Sequence, residues 1–159
     1  METFALIEQS ALAVLVRDTI WGFPIVLTIH SIALAFVAGI NFAVALRLLG
    51  ATPRLPLSTL NGYLPAMWVC FALCVVSGLG LLAAYPAKAL TNGVFYSKMV
   101  LVAAGLVLVH RVIHTLGRPD APAPARWQGI LLLLCWGGAV TTGRLLAYTH
   151  HILLSSDPF

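Results

Sequence analysis

Carboxylates are the scarcest functional groups in this sequence. Five Asp and Glu stand against nine Lys and Arg in 159 residues, and all charged residues together make up 9% of the chain. Glu2, Glu8, Asp18, Asp120 and Asp157 all lie outside the long apolar runs, so no pair of carboxylates is placed for acid–base work on a buried substrate. Neither a Gly-rich phosphate loop nor a nucleophile elbow occurs, which removes the common routes to group transfer and hydrolysis. Cysteine is equally sparse. Cys70, Cys74 and Cys135 fall inside apolar runs, form no disulfide framework and say nothing about the redox compartment. Strictly alternating segments are missing too, which argues against a transmembrane barrel.

What the chain has in abundance is apolar sequence. With 60% hydrophobic residues it cannot solvate a globular surface as a soluble domain does, where about 25% of residues are charged. Thr19 to Leu46 and Leu55 to Ala87 contain no Asp, Glu, Lys or Arg, and each exceeds the roughly 20 residues that cross a ~30 Å hydrocarbon core. Two further runs follow, one with Lys98 and Arg111 able to snorkel at its ends, the other interrupted only by Arg144. The expectation is an all-α integral membrane four-helix bundle, a single membrane domain over 1–159, with spans near 20–49, 64–84, 95–115 and 127–153. Gly50 to Pro56, Tyr85-Pro86 and the stretch from Gly117 to Pro124 supply the breaks between them. Ahead of the first span, Phe4, Ile7, Ala11, Val14 and Leu15 share one helical stripe. That predicts a short interfacial helix near 3–17, retained because the acidic start does not read as a signal peptide.

Arginine distribution sets the orientation. Arg47, Arg54, Arg111, Arg118 and Arg126 gather on one side and Arg17, Lys88 and Lys98 on the other, so both termini are expected to face outward from the cytoplasm. The formal charge of +4 then reflects topology and anionic lipid; it does not imply nucleic acid as a partner.

Ionisable residues within spans carry a cost in hydrocarbon and are the candidate site. They are His30 on the first helix, His110 and His114 one turn apart on the third, and Arg144, Tyr148, His150 and His151 on the fourth. By depth, His30 lies in the outer half and His150 near the outer surface, which makes the two plausible axial ligands of one membrane haem. Gly39, Gly78, Gly80, Gly105, Gly137, Gly138 and Gly143 offer room for a flat macrocycle, although small residues in membrane helices also serve close packing. Arg144 shares a stripe with Thr141, Tyr148 and His151, a face suited to a propionate, a lipid phosphate or a quinone carbonyl. Met67, Cys70 and Cys74, on one face of the second helix, admit a Cu(I) alternative.

Three elements together resemble a family of small bacterial inner-membrane proteins of unknown function. They are Trp21-Gly22-Phe23-Pro24 ahead of His30, Arg47-Leu48-Leu49-Gly50, and Gly143-Arg144-Leu145-Leu146-Ala147-Tyr148. Ala45 stands where the family pattern has an Asp, so a carboxylate partner for Arg47 is missing. The resemblance implies an inner-membrane location and points to His30, Arg144 and Tyr148, but supplies no reaction; a more distant likeness to four-helix membrane cytochromes b and copper-resistance membrane domains is analogy of fold. The function expected is a small electron-transfer subunit binding b-type haem, quinone or both, working with a protein partner on the outer face or as a homo-oligomer. The alternatives are a haem-free anchor or assembly subunit for an outer-face enzyme, and a copper-handling protein.

Overall fold

The computed structural model describes residues 9–116 and 125–154, and within these the chain is all-α. Four helices are long and apolar enough to cross a bilayer: α2 (Gly22–Leu49), α4 (Leu64–Ala84), α6 (Gly93–Leu116) and α7 (Arg126–Leu154). Short helices α1 (Ala11–Asp18), α3 (Leu57–Gly62) and α5 (Pro86–Leu90) adjoin them. At 1.5 Å per residue the 28 residues of α2 extend about 42 Å, more than the hydrocarbon core requires. Large apolar side chains lie bare on every span, among them Ile32 (66% exposed), Val76 (68%), Val100 (67%) and Leu134 (62%). Lipid is the solvent that suits such a surface. The protein is a multi-pass membrane protein of the four-helix-bundle class.

Helix ends follow from local chemistry. Gly50 closes α2 with φ +83°, a left-handed conformation costly for residues with a Cβ. The Gly50 amide donates to the Arg47 carbonyl at 3.1 Å and the Ala51 amide to Leu46 at 3.0 Å, the paired bonds of a Schellman stop. Arg47 Nε then donates to the Leu55 carbonyl at 2.7 Å, tying the end of α2 to the connection that follows. Pro86 ends the run at α4 and opens α5 at its first turn, where its missing amide costs nothing. Trp21, Tyr63, Tyr85, Tyr96 and Trp127 stand exposed at or beside span ends, in the positions of interfacial aromatic belts.

The N-terminal helix departs from the predicted 3–17. Ser10 caps it, its Oγ accepting from the Ala13 amide at 3.3 Å, so the described helix begins at Ala11; residues 1–8, including Phe4 and Ile7, lie outside the described residues. Ala13 and Val16 are buried, while Ala11, Val14 and Leu15 face out. The predicted stripe is therefore the face left for lipid. Arg17 Nε contacts Asp18 Oδ1 at 2.9 Å, and this guanidinium bond holds the Asp18 carboxyl below its ordinary value. Protonation of Asp18 at acid pH would remove that ion pair.

By its contacts the chain forms two compact units, residues 1–37 with 66–93, and residues 38–65 with 94–159. In the first, Gly22 lets the chain turn against the backbone carbonyls of Leu15 and Val16, a Cβ there being sterically impossible without a shift. A Cβ at Gly80 would stand 3.7 Å from a Val26 methyl group. The second unit packs Trp136, 1% exposed, against Gly105, and Leu101 against Gly138. Gly129 meets the Ala45 carbonyl and the Leu48 and Leu49 side chains.

Candidate functional site

His30 sits eight residues into α2, about 12 Å along the helix axis, and is half-buried. One turn of α4 clasps it. Ser77, 7% exposed, places Oγ 2.9 Å from His30 Nδ1. The Ser77 hydroxyl is also 2.6 Å from the Leu73 carbonyl and 3.3 Å from that of Cys74, and its single proton is best directed at Leu73. Nδ1–H must then donate to Ser77 Oγ, and in the neutral ring Nε2 carries the lone pair. Gly78 completes the clasp, because a Cβ there would stand 3.3 Å from His30 Cε1 and 3.7 Å from Nδ1. The Cys74 thiol donates to the His30 carbonyl at 3.7 Å, so this sulfur serves the helix contact. An imidazole with its Nδ1 held by a hydroxyl has its ring orientation fixed.

The other candidates are distributed differently. His110 and His114 are exposed on α6, their rings 6.3 Å apart and tilted by 31°. Arg144 is exposed on α7 beside exposed Thr141, whose hydroxyl donates to the Gly137 carbonyl at 2.9 Å. Of the stripe expected on this helix, Thr141 and Arg144 are thus both exposed. The side chains of Tyr148, His150 and His151 lie outside the described residues, although α7 continues through them. Among the described residues no group of three or more His, Cys, Asp or Glu could hold a metal ion. Met67 and Cys74 are buried and Cys70 is half-buried.

The glycines expected to admit a macrocycle divide sharply. Gly105 is covered by the Trp136 indole, Gly138 by Leu101 and Gly78 by His30, each acting as a packing notch. A Cβ added at Gly39 or Gly137 would meet nothing within 4 Å, and at Gly143 the nearest atoms belong to Lys98, with Nζ at 3.9 Å. Lys98 therefore reaches the α7 backbone next to Arg144 and brings a second cation there.

Sequence reasoning passed over Ser77, Gln128 and Asn41, the last fully buried on α2. A hydroxyl or amide within an apolar run is a weak signal, and only the three-dimensional partner separates Ser77 from a residue bonding its own helix. The chain matches no protein-family model, no curated protein and no solved structure.

Proposed function

We propose that this protein is a small electron-transfer subunit of the bacterial inner membrane, with both termini outward, in which His30 Nε2 serves a redox cofactor, b-type haem or quinone. The observation that carries the reading is the Ser77 contact. A structural histidine can be satisfied in any tautomer, whereas the Leu73–Ser77–His30 chain of hydrogen bonds selects the tautomer with its lone pair on Nε2. That atom can ligate a haem iron or accept the proton of a quinol hydroxyl, and in either case Ser77 holds the ring's orientation. A bound haem would supply one-electron exchange. From the sequence, His150 is the residue expected to hold a haem together with His30, and Arg144 is the cation suited to a propionate or a quinone carbonyl. The five-to-three distribution of basic residues supports the orientation, and a protein partner on the outer face, or a second copy, would complete the electron route.

A specific observation also favours the rival, a haem-free anchor for an outer-face enzyme: the glycine faces at Gly105 and Gly138 are filled by the chain's own side chains. The copper reading has Cys74 committed to a helix contact and draws less support. Purified full-length protein, expressed with haem supplied, separates these readings. The expected result is a Soret band that sharpens on dithionite reduction, or stoichiometric quinone in the lipid extract, lost in either case in His30→Ala. Ser77→Ala should weaken cofactor retention about 10–100-fold, the usual effect of removing a ligand's orienting partner. Protein carrying neither haem nor quinone would refute the proposal and leave the anchor.

A further inference from the structure

A second polar cluster, within residues 38–65 and 94–159, has no part in the His30 reading. The end of α6 and the first turn of α7 border a cavity of about 350 Å³ lined by His110, Arg111, His114, Thr115 and Gln128. It is open to its surroundings, its lining His110, Arg111 and His114 being exposed, and its size admits a tetrahedral oxyanion. On a 3.6-residue helix the four α6 positions fall within an arc of about 140°, one continuous face.

We infer that this cavity binds a phosphate group, with Arg111, His110, His114 and Gln128 as donors. The lining supplies a permanent cation with a planar fork of N–H groups, two imidazoles that each keep at least one N–H, and an amide. Among the described residues no carboxylate lines it. The Thr115 hydroxyl is spent on the Arg111 carbonyl at 2.8 Å, so it fixes the wall and donates nothing inward. Gln128 Oε1 is buried without a hydrogen-bond partner, a costly state for an amide. A half-turn of the amide presents its NH₂ to an anion, and without the turn Oε1 can accept from Arg111 or an imidazolium drawn in by one. Charge points the same way: the sequence sets Arg47, Arg54, Arg111, Arg118 and Arg126 around the two connections at this end, against Asp120 alone. A metal cation would meet Arg111 in the same cavity, which disfavours the His110–His114 pair as a chelate. Trp127, 56% exposed and adjacent to Gln128, marks headgroup level, where phosphate is abundant on anionic lipids.

The test uses the full chain in nanodiscs of phosphatidylcholine with a minor fraction of phosphatidylglycerol, the retained lipid being counted by native mass spectrometry. Wild type should retain phosphatidylglycerol selectively. Arg111→Gln and the double variant His110→Gln/His114→Gln should each lower that retention about tenfold, the loss expected for a charge-assisted hydrogen bond. Arg54→Gln removes an exposed cation of the same end that does not line the cavity and should change nothing. If inorganic phosphate instead protects the wild type against heat in pure phosphatidylcholine discs, and Arg111→Gln abolishes that protection, the site stands with a soluble phosphate as its source. Equal losses in Arg54→Gln and Arg111→Gln would reduce the effect to diffuse charge and overturn the site. Zn²⁺ binding that is lost in the histidine double variant but kept in Arg111→Gln would also overturn it, in favour of a cation site. Should Arg111→Gln fail to fold by circular dichroism, Arg111→Lys keeps the charge and loses the fork; unchanged selectivity there would refute a built site.

Discussion

The tautomer of His30 is the most direct quantity by which the candidate site can be judged, because it is defined whether or not a cofactor is bound. If Ser77 keeps its proton on the Leu73 carbonyl, Nδ1 of His30 is protonated and Nε2 is not. Reversing the arrangement would turn the Ser77 hydroxyl onto Nδ1 and forfeit its 2.6 Å bond to a carbonyl that the helix ladder also engages. One net hydrogen bond is worth about 0.5–1.5 kcal/mol, and it acts against the Nε2–H preference of free imidazole, so the Nδ1–H fraction of the neutral ring should exceed that of an unrestrained histidine by a factor of about 2–13 in the tautomer ratio. Nitrogen-15 NMR of histidine-labelled protein, with His30 assigned by difference against His30→Gln, reads the two ring nitrogens separately. Ser77→Ala removes the acceptor, and the His30 signals should then move toward the tautomer favoured by free imidazole. A tautomer ratio at His30 that is the same in the wild type and in Ser77→Ala would refute the hydrogen-bond chain and, with it, the case for Nε2 as the ligand atom.

Two further outcomes follow from packing and topology. Gly105→Ala would set a methyl group 2.8 Å from Trp136 Nε1 on a fully buried indole; overpacking of about 1–3 kcal/mol outweighs a helix-propensity gain of at most ~1 kcal/mol, so thermal unfolding in detergent should rank it below wild type. Gly137→Ala, with open space at its Cβ position, should melt at or above wild type, and equal melting of the two variants would refute the close-packing account. In a background with Cys70, Cys74 and Cys135 replaced, Asn92→Cys should label from outside and Ala121→Cys should not; the reverse pattern would invert the orientation and carry His30 to the cytoplasmic half.

The helices were legible because composition, run length and breakers agree. Lipid demands continuous apolar segments, and Gly50, Pro56 and Pro86 can do little but interrupt them, so the ends of α2 and α4 fall at or within two residues of where the sequence puts them. The short helices α3 and α5 were not foreseen, since a single turn after a breaker has no periodicity to detect. His30 was legible as an ionisable group at depth. Its partner was not, because Ser77 and His30 are 47 residues apart and nothing local in either segment encodes the pairing. Arg144 misled for a related reason: a stripe of polar residues on a helix tells which residues share a face but not which neighbour that face meets. Thr141 and Arg144 share a face, and the face is exposed.

Glycine is where the competing readings of this protein part. A cofactor-binding membrane bundle and a closely packed anchor both need small residues, so their presence in the sequence favours neither. The notches themselves differ in what occupies them. Gly105 and Gly138 receive a tryptophan and a leucine, apolar groups that gain only packing, whereas Gly78 receives the edge of an imidazole whose polar atom is held by the preceding residue. Had Gly78 been no more than a packing notch, a leucine or valine opposite would have filled it without the expense of placing a titratable ring in a span. A titratable ring at this position is therefore more than the packing at Gly78 needs. His110 and His114 lie near the end of α6, and their grouping with Arg111 and Gln128 suits an anion better than a haem. The two sites consequently predict separable losses: Ser77→Ala should alter the redox cofactor and leave anionic lipid in place, and Arg111→Gln should do the opposite. A variant at one site that removed both ligands would mean that the two units are coupled, and the assignment of independent roles to His30 and Arg111 would fail.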